Sequence, residues 1–328
     1  MNKPRGTESQ TRQGWIYALK LVFYAFAILL CIATLKFFNE NRLAPSNIGL
    51  GGVVSRPKLD LLFIGSSHTR KSIDMKVVER ITGINNSFQV SYDGADLTVM
   101  SQIIDYLSTE PDHCPQYLVV EAYSAFLARE PILQDPRYFS DAPPPLKMAI
   151  IRSYLSEQRG LSSVLDIFAL VVNRGNDEIL SYPIYAQALK LGSYKGGRAN
   201  FYFPGTSREA FTKLKADLKT DTANPAQLRA LGHILEVTRD HNIQLIFVDP
   251  PLPEPVSTDA GIQKLKSDFI NILSARHVSY IDGDRGFAID DPTLFSDLHL
   301  SSRGRDEFTL RISEKLREWI AFSSTVVQ

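Results

Sequence analysis

The first fourteen residues, MNKPRGTESQTRQG, are polar, and the next twenty-four, WIYALKLVFYAFAILLCIATLKFF (15–38), are apolar almost without a break. At about 1.5 Å per residue, a helix over that stretch is roughly 36 Å long, enough to cross a hydrocarbon core of about 30 Å. Lys20 and Lys36 fall toward its ends, where long side chains reach the interface, and Trp15 and Tyr17 mark one boundary. The stretch has no A-x-A-like exit, and bulky Leu30 precedes Cys31. Both features argue against a cleaved or lipidated leader. A retained transmembrane helix is therefore expected over 15–38, with 1–14 as its head. Lys3, Arg5 and Arg12 in the head, against Arg42 and Glu40 beyond the helix, favour a cytoplasmic head and an exported body. Residues 39–56 hold Pro45, Gly49, Gly51 and Gly52 and read as a tether.

Beyond the tether the pattern changes period. Short apolar runs at 59–65 (LDLLFIG), 86–92, 116–123, 243–249 and 278–282 have the length of strands buried on both faces. Between them lie segments with apolar residues at helical spacing: 75–83, 96–108, 225–242, 261–277 and 304–322. In 96–108, for example, Leu97, Met100, Ile103, Ile104 and Leu107 share one face. Such alternation predicts an α/β fold, a doubly wound parallel sheet covered on both sides, over residues 57–322. Residues 127–222 break the rhythm and read as a helical and loop insertion over the sheet's carboxyl edge; 323–328 are left as a tail.

Composition narrows the chemistry. Lys plus Arg equals Asp plus Glu, 36 each in 328 residues, so no basic surface for nucleic acid is indicated. The two cysteines, Cys31 and Cys114, lack zinc-type spacing and read as free thiols; no metal or other cofactor is expected.

In a parallel sheet, ligands bind outside the carboxyl ends of the strands. The first strand ends there in Gly65-Ser66-Ser67-His68. A serine hydroxyl needs a base to take its proton, a group to orient that base, and donors for an oxyanion. DLHLSSRG (297–304) supplies Asp297 and His299 just before the last helix, on the same side of the sheet. The bland reading of Ser66 and Ser67 is a helix cap. His68 reads as structural or substrate-lining, and Tyr123 as substrate-lining. Arg70 reads as a partner of an acid such as Asp74 or, less simply, as a grip on an anionic substrate. His233 and His241 read as solvated, PPLPEP (250–255) as a rigid turn, and the aromatics of NFYFPG (200–205) as core or as a sugar platform.

These blocks resemble the SGNH/GDSL hydrolase superfamily, whose sandwich is flavodoxin-like. The resemblance implies Ser67 as nucleophile, His299 as base and Gly94, in SYDGADL, as an oxyanion donor beside the Ser67 amide. Two departures stand out. VVEAYSAF (119–126) lacks the family's oxyanion Asn, leaving Tyr123 or Ser124 as stand-ins, or none. Asp297-Leu298-His299 is one residue shorter than the usual Asp-x-x-His. Asp297 serves if the segment is extended, whereas a helical turn would favour Asp290 or Asp291.

The blocks look most like membrane-tethered, extracytoplasmic members related to polysaccharide O-acetylation and teichoic-acid D-alanylation proteins. By that resemblance the chain is a serine acyl-esterase or O-acyltransferase, acetyl first among acyl groups. It would act on an envelope glycan at the periplasmic face of a bacterial inner membrane, with a membrane acyltransferase as a possible partner. A lipase or thioesterase of the same superfamily, and a degenerate partner protein of a polysaccharide export or acylation machine, are the alternatives.

Overall fold

The structure is a computed structural model that describes residues 15–28, 49–54, 59–133, 135, 142–158, 160, 162–164, 167, 212, 214 and 222–326. The chain divides into two compact units, Met1–Ala44 and Pro45–Gln328. In the first unit, residues 15–28 form helix α1, with Trp15, Leu21 and Phe23 exposed. Among the described residues no helix is long and apolar enough to cross a membrane. The second half of the expected span, 29–38, lies outside the described residues.

The second unit is built on five parallel strands in the order β2-β1-β3-β4-β5. They are β1 (Leu61–Gly65), β2 (Ser87–Ser91), β3 (Tyr117–Glu121), β4 (Gln244–Asp249) and β5 (Ser279–Asp282). Each lies within an apolar run picked out by the sequence pattern. The first three strands are buried at every position, as strands covered on both faces must be. Alternation divides them between two cores. Leu62, Ile64, Leu118, Val120 and Phe247 face one layer. Leu61, Phe63, Val119, Ile246 and Val248 face the other.

Helices α5 (Leu97–Thr109), α6 (Pro144–Glu157), α7 (Pro225–Asp240), the short α8 (Glu254–Ser257) and α9 (Ala260–Ala275) supply apolar side chains to the first core. Helices α4 (Met75–Thr82) and α10 (Ser302–Val326) cover the second. Most starts are set by side-chain caps: Asp74 for α4, Asp96 for α5, Asn224 for α7 and Asp259 for α9. Helix α4 stops at Gly83, whose φ of 78° is the left-handed C-cap that glycine allows.

One expectation is revised. Part of the tether is not a linker: Gly49–Val54 form helix α2, with Leu50 and Val53 fully buried and the Leu50 N–H bonded to Tyr92 Oη at 3.1 Å. A glycine-rich stretch still folds when its few large residues find a core. A 3-10 turn at Ser124–Ala128 leads into the insertion, whose described part includes α6. Most of 165–221, including the aromatics at 200–205, lies outside the described residues.

A buried charge cluster closes the sheet's far edge. Lys266 Nζ on α9 sits 3.2 Å from Asp249, 2.7 Å from Asp282 and 2.9 Å from Asp284. Burial pushes the Asp249 carboxyl up to about 7; Lys266 and the Tyr280 hydroxyl oppose this, and the Asp284 charge adds to it. Removing the central cation would strand three acids. Lys266→Met is therefore expected to lower unfolding free energy by about 3–5 kcal/mol in denaturant titrations. A carboxyl raised in the folded state costs stability as pH rises through its folded value. Relative to the unaltered chain, Asp249→Asn is thus expected to melt higher at pH 8.5 than at pH 5.5. Calorimetry at both pH values checks the sign.

Candidate active site

The strand order reverses between β1 and β3, so their connections leave a crevice at the carboxyl edge. Residues following these two strands meet there. After β1 the chain turns at Ser66 into helix α3 (Ser67–Ser72). The two serines divide the work. Ser66 is fully buried and caps the helix, its Oγ accepting the His68 N–H at 3.1 Å. Ser67, one position on, turns its hydroxyl outward, and its Oγ lies 2.9 Å from His299 Nε2. The cap reading thus holds for Ser66, and the residue beside it is free for chemistry.

His299 comes from a two-stranded hairpin before α10, β6 (Phe295–Ser296) and β7 (His299–Leu300). Its Nδ1 is 2.5 Å from Asp297 Oδ1, and its backbone N–H donates to the same oxygen at 2.9 Å. The short Asp-x-His spacing works, but not through an extended segment. Asp297 is the first residue of the two-residue turn and has a φ of 59°. In that left-handed conformation, which Asp tolerates better than most residues, the carboxylate folds back over the residue two places on. Asp291 is used otherwise, capping the turn Pro292–Leu294 through Thr293.

Electrostatics follow from this geometry. Burial alone would raise the Asp297 carboxyl, but the His299 hydrogen bonds and charge, with Lys71 nearby, hold it below the usual carboxylate range. An ionised carboxylate only accepts, so Nδ1 donates to Asp297, and in the neutral imidazole Nε2 is the nitrogen that accepts from Ser67. His68 is buried and lies between rings. It stacks on His299 at 4.5 Å and 23° and meets Tyr123 at 4.6 Å. Burial, then the charges of His299 and Lys71, push the His68 imidazole well below its ordinary value. His68 is thus a neutral slab behind the base.

Gly94, three positions past β2, has a φ of 68° in a turn closed by the Ala95 N–H on Tyr92 O at 3.1 Å. Arg70 pairs with Asp93 and not with Asp74, which caps α4. This ion pair ties the Gly94 turn to the Ser67 helix. Asp93 is held from the other side as well, its N–H donating to Asp135 Oδ2 at 2.7 Å.

Tyr123 is placed differently from its expected role. Its hydroxyl is buried and has no hydrogen-bond partner, and the Ser124 hydroxyl shares that condition. Burial, with the charges of Asp249 and Glu121, pushes the phenol up. A donor that water cannot touch does not reach a substrate oxygen in this conformation. Neither residue therefore stands in for the missing Asn, and Tyr123 meets the site only as a ring behind His68.

The sequence reading passed over Glu121, the last residue of β3, although a carboxylate ending an otherwise apolar run is a visible signal. It is 2% exposed. Its Oε2 accepts from the Ser66 N–H (2.7 Å), the Thr69 N–H (3.0 Å) and the Thr69 hydroxyl (2.6 Å), and its Oε1 from the Ser66 hydroxyl (2.6 Å). Gly65 makes room for it: a Cβ there would lie 2.6 Å from Glu121 Oε2. Burial raises the Glu121 carboxyl, and these four hydrogen bonds oppose the shift. Among the described residues no group of three or more His, Cys, Asp or Glu is arranged to hold a metal ion.

No protein-family model matches the chain, and no curated protein is significantly similar to it. Solved structures with a similar backbone include a proposed acylhydrolase of Bacteroides fragilis (10% identity, 82% of this chain and 95% of that one, TM-score 0.38). A GDSL-like lipase of Bacteroides thetaiotaomicron is similar at 8% identity, over 79% of this chain and 88% of that one, with a TM-score of 0.37. An acetyl xylan esterase of the rumen bacterium Butyrivibrio proteoclasticus is similar at 11% identity, over 81% and 65%, with a TM-score of 0.32. Likeness at this level carries no weight about chemistry, which rests on the side chains described above.

Removing a buried hydroxyl that has no partner costs no hydrogen bond. Tyr123→Phe is expected to melt at or slightly above the temperature of the unaltered chain. If the Ser67 site cleaves esters, this variant should keep the rate; a large fall in kcat would return Tyr123 to the oxyanion site.

Proposed function

We propose that the chain is a serine-dependent acyl-esterase or O-acyltransferase. The observation that carries this reading is the continuous path from Ser67 Oγ to His299 Nε2 at 2.9 Å, and from His299 Nδ1 to Asp297 at 2.5 Å. In the reaction, Ser67 Oγ bonds to the ester carbonyl carbon as its proton passes to His299 Nε2. The carbonyl oxygen takes up the negative charge, facing the Ser67 amide and the Gly94 turn. Collapse breaks the bond to the leaving alkoxide, which receives the proton from His299. Water or a sugar hydroxyl then gives its proton to His299 and bonds to the acyl carbon; the bond from that carbon to Ser67 Oγ breaks, and His299 returns the proton to Ser67. Throughout, Asp297 holds the ring and offsets its positive charge.

The place and substrate rest on the sequence. The apolar run 15–38 and the basic head 1–14 support a single-pass anchor in a bacterial inner membrane with the body in the periplasm. The resemblance to O-acetylation and D-alanylation proteins supports an acylated envelope or exported glycan as substrate, with acetyl as the group moved. A membrane acyltransferase would supply it if the reaction is a transfer.

The purified full-length chain is expected to be labelled by a fluorophosphonate and to hydrolyse p-nitrophenyl acetate faster than the laurate ester. Ser67→Ala should abolish both activities. Asp297→Asn should lower kcat by about 100- to 10,000-fold, since the imidazole loses its orienting acceptor. A preference for laurate would favour a lipase or thioesterase. No labelling of the folded protein would leave a non-enzymatic partner of a polysaccharide machine.

A further inference from the structure

The turn that carries Ser67 offers five backbone amides, from Ser66 to Arg70. Four are spent. The Ser66 and Thr69 N–H groups donate to Glu121 Oε2, at 2.7 and 3.0 Å. The His68 N–H donates to Ser66 Oγ at 3.1 Å, and the Arg70 N–H to Ser66 O at 3.2 Å. Of the five, only the Ser67 N–H has no acceptor among the described residues, as the first amide of a helix lacks an intrahelical one. The same carboxylate takes the hydroxyls of Ser66 and Thr69, both at 2.6 Å. Glu121 thus grips the turn by backbone and side chain on either side of Ser67, and does not touch Ser67 itself.

We infer that Glu121 is a positioning residue for the Ser67 reaction: it takes up the flanking donors of the turn, leaving the Ser67 amide to receive the charge that develops on the substrate oxygen. The inference rests on the reading of Ser67 as nucleophile. It answers the question raised by the missing Asn. A hole with few donors works only if they are held rigidly where charge appears, since donors that must reorganise lose most of their advantage. Here β3, fully buried and paired on both sides, carries the anchor, so the turn is fixed to the most rigid part of the sheet. Gly65 belongs to the same device, because any side chain there would displace the Glu121 carboxylate or the Thr69 hydroxyl.

The test compares Glu121→Gln, Glu121→Ala and Thr69→Val in the full-length chain. The readouts are kcat and KM for p-nitrophenyl acetate, and the fluorophosphonate labelling rate per folded molecule, with folding checked by circular dichroism. Glutamine keeps an acceptor for the three donors now on Oε2, so Glu121→Gln should lose no more than about fivefold in kcat. Glu121→Ala should lose about 100-fold, the scale of one lost oxyanion donor, with KM changed by less than about threefold. Thr69→Val, which removes one hydroxyl and keeps the backbone, should fall between them; it carries the test with Glu121→Gln if the alanine variant does not fold. A merely structural role predicts lower melting temperatures with kcat and labelling per folded molecule unchanged, and that result overturns the inference. If the unaltered chain is not labelled, the nucleophile reading fails and takes this inference with it. If the unaltered chain is labelled and the variants are labelled as fast, this inference alone fails.

Discussion

The contact between Ser67 Oγ and His299 Nε2 joins residues 232 positions apart. It exists because all five strands of the sheet run the same way, so every strand delivers its following loop to one edge. The serine arrives from β1, at the reversal of strand order. The histidine arrives from the hairpin before α10, which packs on the second core. Neither segment is built to meet the other locally. What brings them together is the burial of Leu61, Phe63, Phe308 and Ile312 in one apolar layer, which seats the last helix beside the first strand.

Around that contact the polar groups form a graded set. Glu121 and Ser66 are buried and hold the turn from beneath. His68 and Tyr123 stack behind the base. Arg70 and Asp93 link the turn to Gly94 from the side. Each group constrains Ser67, His299 or Gly94 through a different element. The hydroxyl and imidazole are therefore over-determined in position although they sit in loops and short turns. Low-dielectric surroundings raise the cost of leaving any of these groups unpaired, and Glu121 with its four donors is satisfied accordingly.

The chain pattern made most of this architecture legible. Five apolar runs became five strands within a residue or two, and helical spacing found five of the six long helices that cover them, α6 being the exception. The serine, the histidine and the aspartate were legible as candidates because a strand ending in small polar residues and a distant Asp-x-His are unusual in otherwise apolar surroundings. The tether was misread over 49–54, where glycine content outweighed two apolar residues that only a finished core can recruit. Arg70 was matched to the nearer acid in sequence, whereas the fold brings Asp93 closer.

What the sequence determined by itself was therefore the periodicity, the approximate strand and helix boundaries and the candidates for the reactive side chains, because these depend on local spacing and residue chemistry. Only the tertiary structure decided which carboxylate serves which partner. Asp297 reaches His299 through a left-handed turn, Asp291 is spent on a cap, and Glu121 is committed to the Ser67 turn. Those assignments depend on distances across the sheet and on which donors remain unpaired after folding, and no one-dimensional spacing encodes either.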